Sequence, residues 1–491
     1  MTARFRLALA TVLATAAAFG QPAAFDDVFA DSTLRIDYYH AANGDSARFT
    51  LDALTVEGAW AGNPATAVQP FDLGRYRVRV LDMEHGTLHF SQGFGSLAGE
   101  YRTTPMAREG RWRTFHESVR IPLPQRPVRV VLDDSDRANR YVPVAEWRVD
   151  PGSPAVRRES PDRGDRIIPL VTGPELHRAV DIVILAEGYT AAEADSFVAD
   201  LERHVGYLFD WEPWSAFRER FTVTGIFRPS LDSGPDEPLA GHFRRTALDV
   251  TFNSLGSPRY MMTESNRAMR EMAAQVPYDA LIVLVNTDRY GGGGIFNCYT
   301  TVAADNPWPE HMLHHEFAHG FAGLADEYYT SDVAYDTFYE PGVEPREANL
   351  TALLDPEALK WKSLVSPGVA IPTDWNRAAY DTLDRRRSRL RGEMHVVVDS
   401  LITGGYPKAV VDSASTDYQA REQALADSIK RFFLEHPLRG KVGAFEGGGY
   451  VGEGFYRPTL NSIMHRFFKE EGIFYLVNAA WIERVIRVYS D

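Results

Sequence analysis

The chain has 491 residues, of which 44% are hydrophobic and 12% aromatic; that is enough to build a core and excludes a disordered or low-complexity protein. Asp and Glu outnumber Lys and Arg by 67 to 52, giving a net charge of −15, and a surface of that sign repels nucleic acid and anionic lipid. The lone cysteine, Cys298, excludes an intramolecular disulfide and a cysteine-based metal cluster, so any metal must be held by His, Asp or Glu.

Residues 1–20 read as a secretory signal. Arg4 and Arg6 precede an apolar run from Leu7 to Phe19, and Ala18 and Gly20 put small residues at −3 and −1 of a cleavage point before Gln21. The run is too short to span a bilayer of about 30 Å, no cysteine follows that could carry a lipid, and no later stretch reads as a transmembrane helix. The expected product is exported to the periplasm or beyond, with no membrane anchor and no nucleic-acid partner.

Residues 21–150 read as an antiparallel β-sandwich. Leu34, Ile36 and Tyr38 alternate with Arg35 and Asp37, and Tyr76, Val78 and Val80 with Arg75, Arg77 and Arg79. That period of two predicts strands with one face buried and the other wet. Residues 151–166, rich in proline and charge and without periodicity, read as a linker. From 167 to 491 the pattern becomes α/β (α+β). Val180–Leu185, Phe221–Phe227 and Ala280–Val285 predict buried strands. Phe197, Leu201, Val205 and Leu208 share one face of a helix, as do Leu425, Ile429, Phe432 and Phe433 further on. Sequence length allows two or three domains in all, at about 150 residues each.

The chemistry concentrates at His315-Glu316-Phe317-Ala318-His319, an H-E-x-x-H motif. On a helix, positions i and i+4 share a face one turn apart, so both imidazoles can reach one Zn²⁺ with bonds of about 2.0–2.1 Å. Glu316 can then reach a metal-bound water as general base. Pro309 suits the first helical turn, Leu313, Phe317 and Phe321 supply a buried stripe, and Gly323 supplies the stop. A catalytic zinc needs a third protein ligand and an open position. Asp326 is the first choice and Glu327 its rival. His311 shares the face but would extend a line of ligands rather than cap a tetrahedron, and His314 points elsewhere. Downstream, Asn461-Ser462-Ile463-Met464-His465 resembles the Met-turn of metzincin peptidases, with Met464 packing beneath the histidines.

Through these motifs the sequence resembles the bacterial IgA-peptidase-type zinc metallopeptidase family, a metzincin-like branch of the H-E-x-x-H enzymes. The resemblance rests on His315 to Tyr328, Tyr290 to Asn297, Phe445 to Tyr450, Tyr456-Arg457-Pro458, Ile184 to Tyr189 and, in the β-rich start, Asp37 to His40. It implies a secreted zinc endopeptidase acting on protein or peptide, with a β-sandwich ahead of a metzincin-like catalytic domain and one catalytic Zn²⁺. By carry-over, His315, His319 and Asp326 are metal ligands and Glu316 is the base. The chain departs from the metzincin pattern in register: Gly323 and Asp326 each fall one residue late, Ala325 stands at the usual ligand place, and Arg466 stands where astacin-like enzymes have tyrosine.

Three further expectations concern the surroundings. Tyr456 and Arg457, just ahead of the Met-turn, are candidate donors to a tetrahedral oxyanion. Gly292, Gly293 and Gly294 offer either a backbone edge for an extended peptide or a plain turn; a phosphate loop is excluded, since no Lys-Ser or Lys-Thr follows. Glu446 is a candidate partner for a ligand histidine. The rival to a zinc endopeptidase is an extracellular glycan- or protein-binding protein with a structural or inactive metal site. An intact Glu316 weighs against it, because a structural site needs no base.

Overall fold

The computed structural model describes residues 24–158, 162–329, 338–466 and 474–491. The expected signal segment lies outside them. No helix among the described residues is long and apolar enough to cross a membrane.

The N-terminal region forms two four-stranded sheets packed over one apolar core. One has the order β5-β1-β2-β8, built from β1 (Phe29–Ala42), β2 (Ala47–Val56), β5 (Arg113–Pro124) and β8 (Val156–Arg157). The other has the order β4-β3-β6-β7, built from β3 (Tyr76–Asp82), β4 (Leu88–Phe94), β6 (Val128–Ser135) and β7 (Tyr141–Val149). Leu34, Ile36 and Tyr38 of β1 meet Tyr76, Val78 and Val80 of β3 in that core. On the far face of β3, Arg77 and Arg79 converge on Asp133 at 3.0 and 2.7 Å.

Two expectations are corrected here. The second face of β1 is dry: Arg35 and Asp37 are buried, paired with each other at 2.9 Å, and Arg35 also reaches Glu57 at 2.8 Å. The C-terminal region covers this face, with Arg120 donating to the Tyr278 carbonyl at 2.8 Å and Asn266 to Ser118 at 2.6 Å. Charges on alternate positions signalled polarity, and here polarity means buried ion pairs. The expected linker is also partly structured. Val156 is buried in β8, parallel to β2, and β9 starts at Arg166. A two-residue strand is too short to leave a periodic signal.

The second region is built on a six-stranded sheet of order β13-β14-β12-β10-β11-β9. Its strands are β9 (Arg166–Val171), β10 (Val180–Glu187), β11 (Phe221–Phe227), β12 (Ala280–Val285), β13 (Gly292–Ile295) and β14 (Tyr299–Ala303). The four inner strands run parallel, and the two edges are antiparallel. Every position of β10 and β12 is buried, as a parallel sheet covered on both faces requires. Helices Ala194–Phe209, Pro309–Ala322 and Leu476–Ser490 contribute to the core on one face. On the other, helix Asn266–Ala273 and Leu248 to Phe252 pack with Leu97, Tyr101 and Phe115 of the sandwich region. One continuous core therefore joins the two regions.

Two long helices, Arg377–Thr403 and Lys408–Leu434, form a hairpin fastened at its base by Tyr380, Ile429 and Phe433. After it, β15 (Val442–Gly448) and β16 (Val451–Thr459) form a separate two-stranded ladder.

Candidate metal centre

The H-E-x-x-H motif lies on the helix Pro309–Ala322, as its spacing requires. Pro309 occupies the first turn. Gly323 follows with φ +61°, and the Leu324 N–H returns to the Ala318 carbonyl at 3.2 Å, a closed C-terminal turn that only glycine enters cheaply. Phe317 and Phe321 anchor the buried side on Trp214, at ring separations of 5.2 and 5.9 Å. This stop turns the chain back beside the helix and delivers Asp326 to the histidines.

Three ligand atoms converge. His315 Nε2 and His319 Nε2 are 3.2 Å apart, and Asp326 Oδ1 lies 3.2 Å from the first and 3.3 Å from the second. Ligands bound tetrahedrally at about 2.0–2.1 Å are separated by about 3.3 Å, so this triangle has the edges of a zinc face. The outer ring nitrogens are committed elsewhere: His315 Nδ1 lies 3.0 Å from the Ile463 carbonyl and His319 Nδ1 2.6 Å from the Leu324 carbonyl. Each Nδ1–H donates to its carbonyl, which leaves the Nε2 lone pairs facing the centre. Asp326 Oδ2 accepts from the Tyr450 hydroxyl, while the buried Oδ1, facing both Nε2 atoms, has no hydrogen-bond partner among the described residues.

The charges of the cluster are strongly coupled. Burial disfavours charge on His319, yet Asp326 beside it lifts the imidazolium to about 9. Burial would raise Asp326, but His319 and His315 hold it well below the usual carboxylate range. Glu316 is raised, chiefly by burial, against the pull of both histidines. The donor set, two imidazoles and a carboxylate, fits a divalent metal cation.

Glu327, the rival third ligand, is turned away and fully engaged. Its Oε1 accepts from Asn349 and Asn478, both at 2.9 Å, and its Oε2 from Ser462 at 2.7 Å. His314 donates instead to the Tyr207 carbonyl at 3.0 Å. His311 lines the same cleft one turn before His315, 5.5 Å from it between ring centres. Met464 is buried in the turn that holds His315 through the Ile463 carbonyl, and its own carbonyl accepts the Glu327 N–H at 2.8 Å.

Other predicted residues sit differently. Arg457 is fully buried and spent on backbone: its guanidinium donates to the carbonyls of Gly447 at 2.5 Å, Leu460 at 3.0 Å and Glu446 at 3.2 Å. Tyr456 exchanges backbone hydrogen bonds with Thr351 at 2.8 and 3.0 Å. Neither lines the cleft, which corrects their assignment as oxyanion donors. Adjacency to the turn in sequence did not become a place in the cleft, because the carbonyls of Glu446, Gly447 and Leu460 draw the Arg457 guanidinium to themselves. Glu446 pairs with Arg377 at 3.1 Å and touches neither ligand histidine.

Gly292, Gly293 and Gly294 form the edge strand β13, but its outer side is partly taken. Tyr260 bridges to Gly292, and the Phe296 carbonyl accepts the Gly95 N–H at 2.7 Å. What demands glycine here is the motif helix. A Cβ on Gly294 would lie 2.2 Å from the Glu316 carbonyl oxygen and 2.9 Å from His319 Cβ. Gly294→Ala is therefore expected to push the helix off the sheet and destabilise the fold by about 2 kcal/mol or more. Thermal denaturation checks this; an unchanged Tm would mean that the close contact does not govern the glycine.

The cluster opens into a cleft of about 1630 Å³ between the sandwich region and the C-terminal region. Arg259, Tyr290, Tyr328 and Tyr450 line it near the cluster. Sequence reasoning assigned none of these a role. Tyr290, Tyr328 and Tyr450 carried a signal only as ends of the stretches that bear the resemblance, and Arg259 carried none. Among the described residues one other group could hold a metal, Asp37, Asp52 and His116. There His116 Nε2 lies 3.4 Å from Asp52 Oδ2, and Arg267 hydrogen-bonds the same oxygen, so a cation of the protein's own already neutralises it.

Comparison with known proteins supplies the family. Residues 168–486 match the family model described as IgA Peptidase M64, and residues 24–144 match that of the Peptidase M64 N-terminus. No curated protein matches the chain.

Proposed function

The chain belongs to the IgA peptidase M64 family, a family of metallopeptidases, and on that premise we propose that it is an exported zinc-dependent endopeptidase. The observation that carries the zinc assignment is the triangle of His315 Nε2, His319 Nε2 and Asp326 Oδ1 with edges of 3.2–3.3 Å. The sequence of residues 1–20 carries the export assignment.

His315, His319 and Asp326 would hold the ion, and Met464 lies in the turn that fixes the first of them. Zinc bound there supplies Lewis acidity, polarising the scissile carbonyl and acidifying water toward a pKa of about 7. Glu316 takes the proton of the attacking water and passes it to the departing amine. Its raised carboxyl affinity for protons, caused by burial, suits a group that must accept one and release it within a turnover. The hydrogen bonds from His315 and His319 to fixed carbonyls hold the ligands in place, as does Tyr450 on Asp326. With a volume of about 1630 Å³, the cleft has room for more than one residue of a substrate, which supports action on a protein or peptide.

Elemental analysis of the purified protein, with a casein or mixed-peptide cleavage assay, tests this reading. One zinc per chain and cleavage abolished by a chelator are expected. Absence of zinc after reconstitution would overturn the assignment and bring the binding-protein reading forward; zinc without cleavage of any peptide would mark the site as structural.

A further inference from the structure

Hydrolysis of a peptide bond places negative charge on the former carbonyl oxygen, and the residues first expected to meet it, Tyr456 and Arg457, face elsewhere. A different cation stands in the cleft. Arg259 lines it together with His315, Glu316 and Asp326. Of the eight other arginines that line the cleft, Arg108 has no ion pair among the described residues, Arg137 lies 3.8 Å from Asp45, and the remaining six are each tied closely to a carboxylate. Arg75 and Arg102 reach Asp134 at 3.1 and 2.6 Å, Arg346 reaches Asp72 at 2.7 Å, Arg387 and Arg391 reach Glu422 at 2.6 and 2.9 Å, and Arg466 pairs with Asp384. Arg259 has no such tie among the described residues. It feels Tyr328, Tyr260, Asp326 and Tyr290 through charge alone, with no hydrogen bond, and these outweigh the burial that opposes its charge. Glu316 feels it in turn. A guanidinium left without an anion in a cleft shared with the base and the ligands is arranged for an anion that arrives.

Its backbone is fixed on both sides. The Pro258 carbonyl accepts from Arg289 at 2.9 Å, and Arg289 is itself held by Glu237 at 2.7 Å. The Tyr260 N–H donates to the Ser257 carbonyl at 3.1 Å, Tyr260 bridges to Gly292 of the edge strand, and the Met261 carbonyl accepts from Thr301. Deeper in the same segment, buried Glu187 accepts from Thr246 and from the N–H groups of Leu248 and Val250 at 2.8 and 2.9 Å. The rim that carries Arg259 is thus pinned to β10, β13 and β14, the same sheet that seats the motif helix.

We propose that Arg259 is a catalytic residue of the peptidase site, its guanidinium donating to the oxygen of the scissile carbonyl as that oxygen becomes an oxyanion. The proposal rests on the peptidase reading above. Water oxygen bonds to the carbonyl carbon while the carbonyl π pair moves onto oxygen, where Arg259 meets it; Glu316 holds the proton released by the water. When the pair returns, the C–N bond breaks and the amine leaves with that proton. A donor aimed at charge that develops only in the transition state acts on kcat, not on ground-state binding. A planar fork of N–H groups with no carboxylate partner among the described residues is suited to this.

The test uses the full-length zinc-loaded protein, with Arg259→Gln and Arg259→Lys assayed on one set of peptides that are neutral or acidic beside the cleaved bond. Zinc content and Tm are measured on each. The expected result is a fall of about 10²–10³-fold in kcat, and equally in kcat/KM, for Arg259→Gln on every peptide, with KM little changed and partial recovery in Arg259→Lys. A phosphonate peptide that mimics the tetrahedral species should lose affinity in parallel. Retention of kcat would overturn the proposal. So would a rise in KM confined to acidic peptides, which would make Arg259 a reader of substrate side chains. A wild type that binds zinc and cleaves no peptide would sink the peptidase reading itself, a result distinct from either of these.

Discussion

Glu316→Gln is expected to lower peptide hydrolysis by about 10²–10⁴-fold while zinc stays at one per chain. The substitution keeps the size of the side chain and removes only its capacity to take a proton. Size matters here, because Glu316 is confined: a Cβ on Gly292 would already lie 3.2 Å from Glu316 Cγ. Folding should therefore be undisturbed. Burial raises the Glu316 carboxyl, and neutral Gln loses the partial compensation from His315 and His319 but also the desolvation cost. The check is steady-state cleavage beside elemental analysis. Full activity in the variant would remove Glu316 from the mechanism and, with it, the argument that the centre is catalytic rather than structural.

The second large effect separates two neighbouring carboxylates that the sequence left as rivals. Asp326→Ala is expected to abolish zinc retention and activity, because it removes one corner of the triangle and leaves two histidines. Glu327→Ala is expected to keep the ligand set but cost stability. Three buried donors, from Asn349, Asn478 and Ser462, would lose their acceptor, at about 1–3 kcal/mol for each group left unsatisfied. Zinc content and Tm measured on both variants give opposite patterns. Loss of zinc in a well-folded Glu327→Ala protein, with zinc retained in Asp326→Ala, would reverse the assignment. The physical reason for expecting otherwise is direction: Asp326 Oδ1 faces both imidazoles, whereas Glu327 is held by Asn349, Asn478 and Ser462.

Much of the molecule was legible because its signals are local. The four-residue spacing of His315 and His319 needs only a helix to become a shared face, and Pro309, the stripe of Leu313, Phe317 and Phe321, and Gly323 mark that helix and its end. The continuous apolar runs of β10 and β12 similarly announced strands buried on both faces. The alternation in β3 gave its core side correctly. In β1 the same alternation misled about the far side, since Arg35 and Asp37 are polar whether they meet water or each other, and only the packing of Asn266 and Tyr278 over them decides which.

The sequence by itself determined the helix, its two histidines, the adjacent glutamate and the turn that brings a carboxylate back to them, because all of these depend on contacts within about a dozen residues. Tertiary structure alone decided which carboxylate faces the cluster. That choice is enforced by Asn349, Ser462 and Asn478, which lie 22, 135 and 151 positions from Glu327 and hold it away. It also decided that Arg457 supports backbone while Arg259 enters the cleft, since long flexible cations carry no local signal of direction and take it from the partners that folding brings to them.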